Sequence, residues 1–157
     1  MGGYMFKKKN EEIISFVSGE IVAIDTVNDQ VFSQKLMGDG FAIIPNENKF
    51  YAPVSGKVSA VFPTGHAIGI TTKKGVEVLL HLGINTVELD GKGFTLHVEQ
   101  GQSVKQGDLL VEMDLDLVKE AGYDTTSMFI LTSGQSVSDL KVNYQTTAKE
   151  AGIVKVK

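Results

Sequence analysis

The sequence predicts an all-β protein, an antiparallel sandwich or barrel with a duplicated motif and one or two short helices. Three observations carry this. Short segments rich in β-branched and aromatic residues recur along the chain. Glycines punctuate them. Only one stretch has both a start and a stop signal for a helix, and it is brief. Taken in order, the expected strands are Glu20–Ile24, Gly40–Pro45, Lys49–Ala52, Gly56–Phe62, His66–Thr71, Val76–Leu82, Thr95–Val98 and Leu109–Asp114. The expected helix is Leu117–Ala121, capped by Asp114 or Asp116 and stopped by Gly122. A weak internal echo supports duplication: Val17-Ser18-Gly19-Glu20-Ile21 resembles Val54-Ser55-Gly56-Lys57-Val58.

A chain of 157 residues is one domain by length and can bury a sizeable core. Residues 1–14 read as a flexible lead, with Met1-Gly2-Gly3-Tyr4 an addition ahead of a natural start at Met5. Residues 15–157 read as a single domain, in which Asp124–Ser127 is polar but too short to act as a linker. No apolar run is long enough to span a bilayer, and no apolar region follows Lys7-Lys8-Lys9 as a signal peptide would require. The absence of cysteine removes disulfides, thiolate metal sites and thiol nucleophiles, and suits a reducing cytoplasm. A net charge of -4 argues against nucleic acid and is compatible with a basic protein partner.

Of the three histidines, His66, His81 and His97, two fall in one expected hairpin. With Lys73-Lys74 as a two-residue turn, Thr72 faces Gly75, Ile70 faces Glu77, Ile68 faces Leu79, and His66 faces His81. Facing partners share one side of the sheet with Cβ atoms about 4.5–5.5 Å apart. Val76, Val78, Leu80 and Leu82 then form a core face. Glu77, Leu79 and His81 share the other face with His66, Ile68 and Ile70, giving a half-exposed aliphatic patch that ends in two imidazoles. His97 has no such partner and reads as a surface residue. Two imidazoles can contribute to a metal site, although two ligands fall short of the usual three or four. They can also run acid–base chemistry, or combine a nucleophile with a hydrogen-bond donor for phosphoryl transfer. No phosphate-binding glycine loop is present, so a nucleotide is not the expected phosphate source.

Several longer motifs go further. They are "SGEIV" at 18–22, "VFSQKLMGDGFAI" at 31–43, "APVSGKV" at 52–58, "FPTGHAIGI" at 62–70, "GVEVLLHLGINTVELDGKGF" at 75–94 and "GQSVKQGDLLVEMDL" at 101–115. Over about residues 15–135 the chain resembles the glucose-family enzyme IIA component of the bacterial phosphoenolpyruvate-dependent sugar phosphotransferase system. The resemblance implies a β-sandwich built on a duplicated motif. It implies that His81 accepts the phosphoryl group, that His66 supports it, and that Thr64 hydrogen-bonds beside the pair. It sets Phe32, Phe62, Ile70, Leu79, Asn85 and Val87 on the surface that docks partner proteins. The implied donor is the phosphorylated histidine phosphocarrier protein. The implied acceptor is a cysteine of a IIB domain, the sugar being phosphorylated on entry through the membrane-embedded IIC transporter. No cofactor is required, although in some members the two histidines complete a zinc site at a regulatory interface.

The chain departs from the family pattern in places. Asn85 stands where many relatives carry Asp, removing a charge beside the docking surface. Ser15-Phe16 replaces the usual Ala-Pro, and the stretch after Gly134 lacks the Gly-x-Val-x-x-Gly turn expected before the last strand. The start "MFKKKN" lacks the longer arm that some enteric members use at membranes. Met5 and the ending read as those of a free-standing protein. Two readings compete. A zinc metallopeptidase of similar architecture wants a His-x-His pair that is absent here. A lipoyl- or biotinyl-type carrier, suggested by "GQSVKQGD", wants a modified lysine at a hairpin tip, which Lys73-Lys74 matches poorly.

Overall fold

The computed structural model describes residues 11–157, so the first ten residues of the expected flexible lead lie outside the described part. The eight expected strands all form, with ends displaced by one or two residues: β1 Gly19–Ala23, β2 Asp39–Pro45, β3 Lys49–Tyr51, β4 Gly56–Val61, β5 Ala67–Thr71, β6 Glu77–His81, β7 Phe94–Leu96 and β9 Leu109–Met113. Further strands join them: β8 Ser103–Val104, β10 Ser127–Leu131, β11 Val137–Ser138, β12 Gln145–Thr146 and β13 Lys155–Val156. Two short helices are present, α1 Gln30–Ser33 and α2 Leu115–Glu120. Asp114 caps α2 by accepting a hydrogen bond from Leu117 N. Gly122, with φ +91°, ends it as Gly122 N and Tyr123 N donate back to Lys119 O and Val118 O.

An eight-stranded antiparallel sheet, in the order β12-β1-β2-β10-β6-β5-β4-β8, packs against a three-stranded sheet, β3-β9-β7. The alternating strands of both sheets turn their apolar sides into one core. A line of rings crosses it from sheet to sheet: Phe129 to Phe41 at 4.9 Å, Phe41 to Phe16 at 6.0 Å, and Phe16 to Phe50 at 6.2 Å. A smaller core lies on the opposite side of the large sheet. There Ile24, Val27 and Phe32, from the segment between β1 and β2, cover Ala42, Met128, Ile130 and Leu79.

The internal echo marks a real duplication. From either end, the large sheet runs from a two-residue edge strand, to the strand opened by Val-Ser-Gly, to its hairpin partner, to a central strand. Gly19 and Gly56 open β1 and β4, and at both a Cβ would fall within 2.3 Å of a carbonyl oxygen on the adjacent strand. The registers correspond: Glu20↔Ile44 and Ile21↔Ile43 in one half match Lys57↔Thr71 and Val58↔Ile70 in the other. Continuing the match through β10 and β6 pairs Asp39 with His66 and Ile130 with His81. Both histidines therefore belong to one half, and the other half holds an aspartate and a buried isoleucine in their places.

The expected hairpin forms, but its register is one residue from that expected. Ala67, not His66, faces His81; Ile68 faces Leu80 and Ile70 faces Val78. The cause is the loop. It has three residues, Lys73-Lys74-Gly75, not two. Gly75 N donates to Thr72 O to close a tight turn, and Gly75 takes φ +87° before Thr72 N meets Val76 O. A three-residue turn ending on a left-handed glycine is a stable alternative to the two-residue hairpin loop. The one-residue slip exchanges faces. Ile68 and Ile70 enter the main core with no exposure, so Ile70 is not a docking residue.

Three further corrections come from packing. Ile13 and Ile14 are buried, and Ile14 bridges to Ala151, so residues 13 and 14 belong to the folded body and not to a flexible lead. Of the strands missing from the sequence reading, β10 lies at the centre of the large sheet. Ser127–Leu131 is buried at every position, and such a run lacks the alternation that reveals a half-exposed strand. The divergent C-terminal stretch is ordered by pairing: β12 joins β1, β13 joins β11, and Ile153, Val154 and Val156 enter the main core.

Candidate active site

His81 and His66 meet although the register that predicted it is wrong. His81 is the last residue of β6 and shares the outward side of the large sheet with Leu79, beside the smaller core. His66 lies one residue ahead of β5. There Gly65 N donates to Phe62 O, and Gly65 takes φ +78°, a tight turn that leads the chain into β5. The two imidazoles stand 5.3 Å apart between centroids at 77°. Backbone pairing locks the approach, as Leu82 N donates to His66 O at 2.7 Å.

Each ring has one nitrogen committed. His81 Nδ1 lies 2.9 Å from Gly83 O. A carbonyl only accepts, so Nδ1 carries the proton and Nε2 of the neutral ring keeps its lone pair. His66 Nδ1 lies 2.5 Å from Thr64 Oγ1. If that hydroxyl donates, Nε2–H of His66 is left as a free donor. Around them, the Phe32 ring packs 4.8 Å from His81 and the Phe62 ring 5.3 Å from His66.

The surroundings make a proton on either ring unfavourable. Burial depresses the His66 pKa. The His81 pKa is lowered to about 4, first by burial and further by the nearby His66, against the Gly83 carbonyl and Asp29, which pull it upward. His81 is thus neutral throughout the physiological range. The folded state binds this proton less readily than the unfolded chain, in which the pKa is near 6.5. Stability is therefore full above about pH 6.5 and falls as the pH drops toward 4, by up to ~3 kcal/mol from this residue. We expect the melting temperature to fall across that window, with His81→Ala reducing the drop. Melting curves between pH 7 and pH 4 check it; an unchanged acid profile in the variant contradicts it.

The expected docking residues divide. Phe62 is 46% exposed beside His66, and Val87 is 52% exposed on the turn that follows Gly83. Asn85 is exposed with φ +61°, a left-handed conformation that Asn tolerates better than most residues, and it opens the 3₁₀ turn Thr86–Leu89 that presents Val87. Phe32, in contrast, is buried at 5% and forms the floor under His81, not a docking surface. Leu79 is half-buried against the same small core. Thr64 is half-buried beside His66. His97 lies away from the pair, bonded to Glu112 at 2.8 Å.

Sequence reasoning missed two contributors. Asp29 caps α1 through Val31 N and lends its negative charge to the His81 environment. Gly83 supplies the carbonyl that sets the His81 tautomer. Val31, Leu36 and Met37, all exposed on the segment that carries Phe32, extend the apolar surface. The motif at 31–43 contained these three residues, but exposure is not written in a motif.

Comparison with known proteins gives this geometry a context. A sequence model described as phosphoenolpyruvate-dependent sugar phosphotransferase system, EIIA 1, matches residues 11–137. The chain belongs to this EIIA family. Among curated relatives, it is 49% identical over 137 residues to the PTS system glucose-specific EIICBA component of Streptococcus pneumoniae serotype 4, covering 87% of this chain and 19% of that protein. It is 46% identical over 132 residues to the PTS system β-glucoside-specific EIIBCA component of Halalkalibacterium halodurans, covering 84% and 21%. The chain thus spans about a fifth of the length of these relatives. Among solved structures, glucose permease IIA from Mycoplasma capricolum superposes with a TM-score of 0.86 at 42% identity, over 95% of this chain and 97% of that one.

This EIIA chain is therefore a β-sandwich component of the sugar phosphotransferase system, as its motifs implied. Nothing in these matches supports the metallopeptidase or lipoyl-carrier reading. Among the described residues, no group of three or more His, Cys, Asp or Glu side chains could hold a metal ion, and no helix is long and apolar enough to cross a membrane.

Proposed function

We propose that this EIIA chain carries a phosphoryl group on Nε2 of His81, taken from the phosphorylated histidine phosphocarrier protein and passed to a cysteine of a IIB domain. The observation that carries this is the committed Nδ1–H of His81 beside a second imidazole, in a site rimmed by exposed apolar side chains. In the first step the Nε2 lone pair of His81 forms the new N–P bond. The N–P bond of the donor breaks, and its electron pair returns to the donor imidazole. His81 then carries the positive charge, with Nδ1–H still bonded to Gly83 O, a bond that strengthens as the ring becomes cationic. In the second step the IIB thiolate forms an S–P bond, and the N–P pair returns to His81 as the neutral ring.

His66 donates from Nε2–H to the phosphoryl oxygens, and Thr64 holds it in the tautomer that can do so. Phe62 and Val87, with Asn85 between the site and the solvent, form the rim that seals against each partner and keeps water from the N–P bond. The net charge of -4 and Asp29 favour a partner whose docking face is basic. These partners set the chain at the cytoplasmic face of a membrane transporter, which it reaches through the IIB and IIC components. The transfer needs no cofactor; zinc, where it binds, uses His66 and His81 with further ligands from a partner.

Incubation with phosphoenolpyruvate, enzyme I and the phosphocarrier tests the reading by intact mass. One phosphoryl group is expected, labile to acid as a phosphohistidine is. No gain in mass refutes it.

A further inference from the structure

The His81 tautomer depends on where the Gly83 carbonyl, part of the Gly83–Ile84 peptide, points, and two buried hydroxyl groups hold the Leu82–Gly83 peptide just before it. Gly83 takes φ +77°. A Cβ there would lie 2.4 Å from Thr86 Cγ2 and 3.1 Å from Asp124 O, so Gly83 sits tightly between the 82–86 turn and the chain entering β10. Thr86, fully buried, donates from Oγ1 to Leu82 O. Ser127, 1% exposed, accepts from Gly83 N at 3.3 Å and donates to Thr125 O at 3.0 Å. One residue on, Ile84 N donates to Asp124 O at 2.9 Å. Three successive residues, Leu82, Gly83 and Ile84, are thus tied, and Leu82 N is also bonded to His66 O.

From this geometry we infer that Thr86 and Ser127 are positioning residues for phosphoryl transfer: by fixing the Leu82–Gly83 peptide, while Ile84 N is fixed on Asp124 O, they hold the Gly83 backbone so that its carbonyl aims at His81 Nδ1 and Nε2 stays free to attack. Neither touches the imidazole or the phosphoryl group. They act on a two-state choice. A neutral imidazole carries its proton on either nitrogen, and only the Nδ1–H form presents a lone pair at Nε2. If Gly83 O turns away, part of the population takes the Nε2–H form, and the acceptance rate falls with the competent fraction. The same carbonyl also stabilises the cationic ring after transfer, so a loose peptide weakens the phosphorylated state as well. Ser127 adds what Thr86 cannot. Its hydroxyl donates and accepts at once, joining the 82–86 turn to the central strand β10 and so to the body of the large sheet.

The inference rests on the phosphocarrier reading, and the test separates the two. Thr86→Val keeps the shape of Thr86 and removes its donor; Thr86→Ser keeps the donor. Ser127→Ala removes the second tie and covers the case in which Thr86→Val does not fold. Ring-¹⁵N spectra of His81 in the unphosphorylated proteins report the tautomer with no transfer step. The unmutated chain is expected to show the Nδ1–H form alone. Thr86→Val and Ser127→Ala are expected to show a mixture and to accept phosphate several-fold to about tenfold more slowly, as loss of a buried hydrogen bond predicts. Thr86→Ser is expected to restore both. A folded Thr86→Val or Ser127→Ala chain that keeps the pure Nδ1–H signature and the unmutated rate overturns the positioning role. If the unmutated chain takes no phosphate, the phosphocarrier reading fails, while the tautomer spectra still decide whether the two hydroxyls orient His81.

Discussion

His81→Ala abolishes phosphoryl acceptance: after incubation with phosphoenolpyruvate, enzyme I and the phosphocarrier, its intact mass stays that of the unmodified chain. The expectation follows from the inventory of nucleophiles. The chain has no cysteine. His66 has Nδ1 engaged with Thr64 Oγ1, and the role proposed for its Nε2 requires a proton there. His97 is bound to Glu112 outside the site. No other group in the site offers a neutral nitrogen lone pair. The substitution also removes the ring packed against Phe32, a loss the folded body is expected to tolerate because His81 ends its strand. A phosphoryl group still found on the variant, and located at His66 by fragmentation, would transfer the acceptor role to His66 and overturn the tautomer assignment.

His66→Ala is the second large effect, and it is unequal between the two steps. Acceptance is expected to stay within about tenfold of the unmutated rate, whereas delivery to IIB slows by ~10²–10³, the usual cost of deleting a hydrogen-bond donor aimed at developing charge. The inequality comes from the attacking groups. A neutral imidazole attacks in the first step, while the donor protein's own site still surrounds the phosphoryl oxygens. An anionic thiolate attacks in the second, so negative charge is greatest when only His66 and the IIB loop face the phosphoryl group. Phosphorylated variant mixed rapidly with a IIB domain, quenched and followed by mass, gives both rates. Delivery at the unmutated rate would leave His66 without its assigned role.

The pairing of the two histidines shows how far sequence reasoning reached and where it stopped. Turn counting brought His66 and His81 together through a register that does not exist. The three-residue loop places Ala67 opposite His81. The rings meet nonetheless, 5.3 Å apart, with His66 placed where the chain leaves the Gly65 turn and enters β5. The resemblance identified the pair correctly because a family motif records which residues meet, whatever path the backbone takes. It could not foresee that Ile70 is core and that Phe32 is a floor, because both follow from the slip in register and from the segment folded over the sheet.

The sequence alone determined the class of the fold, eight of the strand segments up to Asp114, the echo of the duplication and the two imidazoles that meet, His66 and His81. Each of these is local: alternation, turn residues and short motifs are properties of neighbours along the chain. Only the tertiary structure decided the central position of β10, the boundary between core and docking surface, the neutral state of His81 and the tautomer that frees its Nε2. These depend on groups remote in sequence: Asp29 beside His81, and Ser127 beneath the Gly83 peptide. Burial and hydrogen-bond direction arise when such groups meet, and no spacing of residues along the chain encodes them.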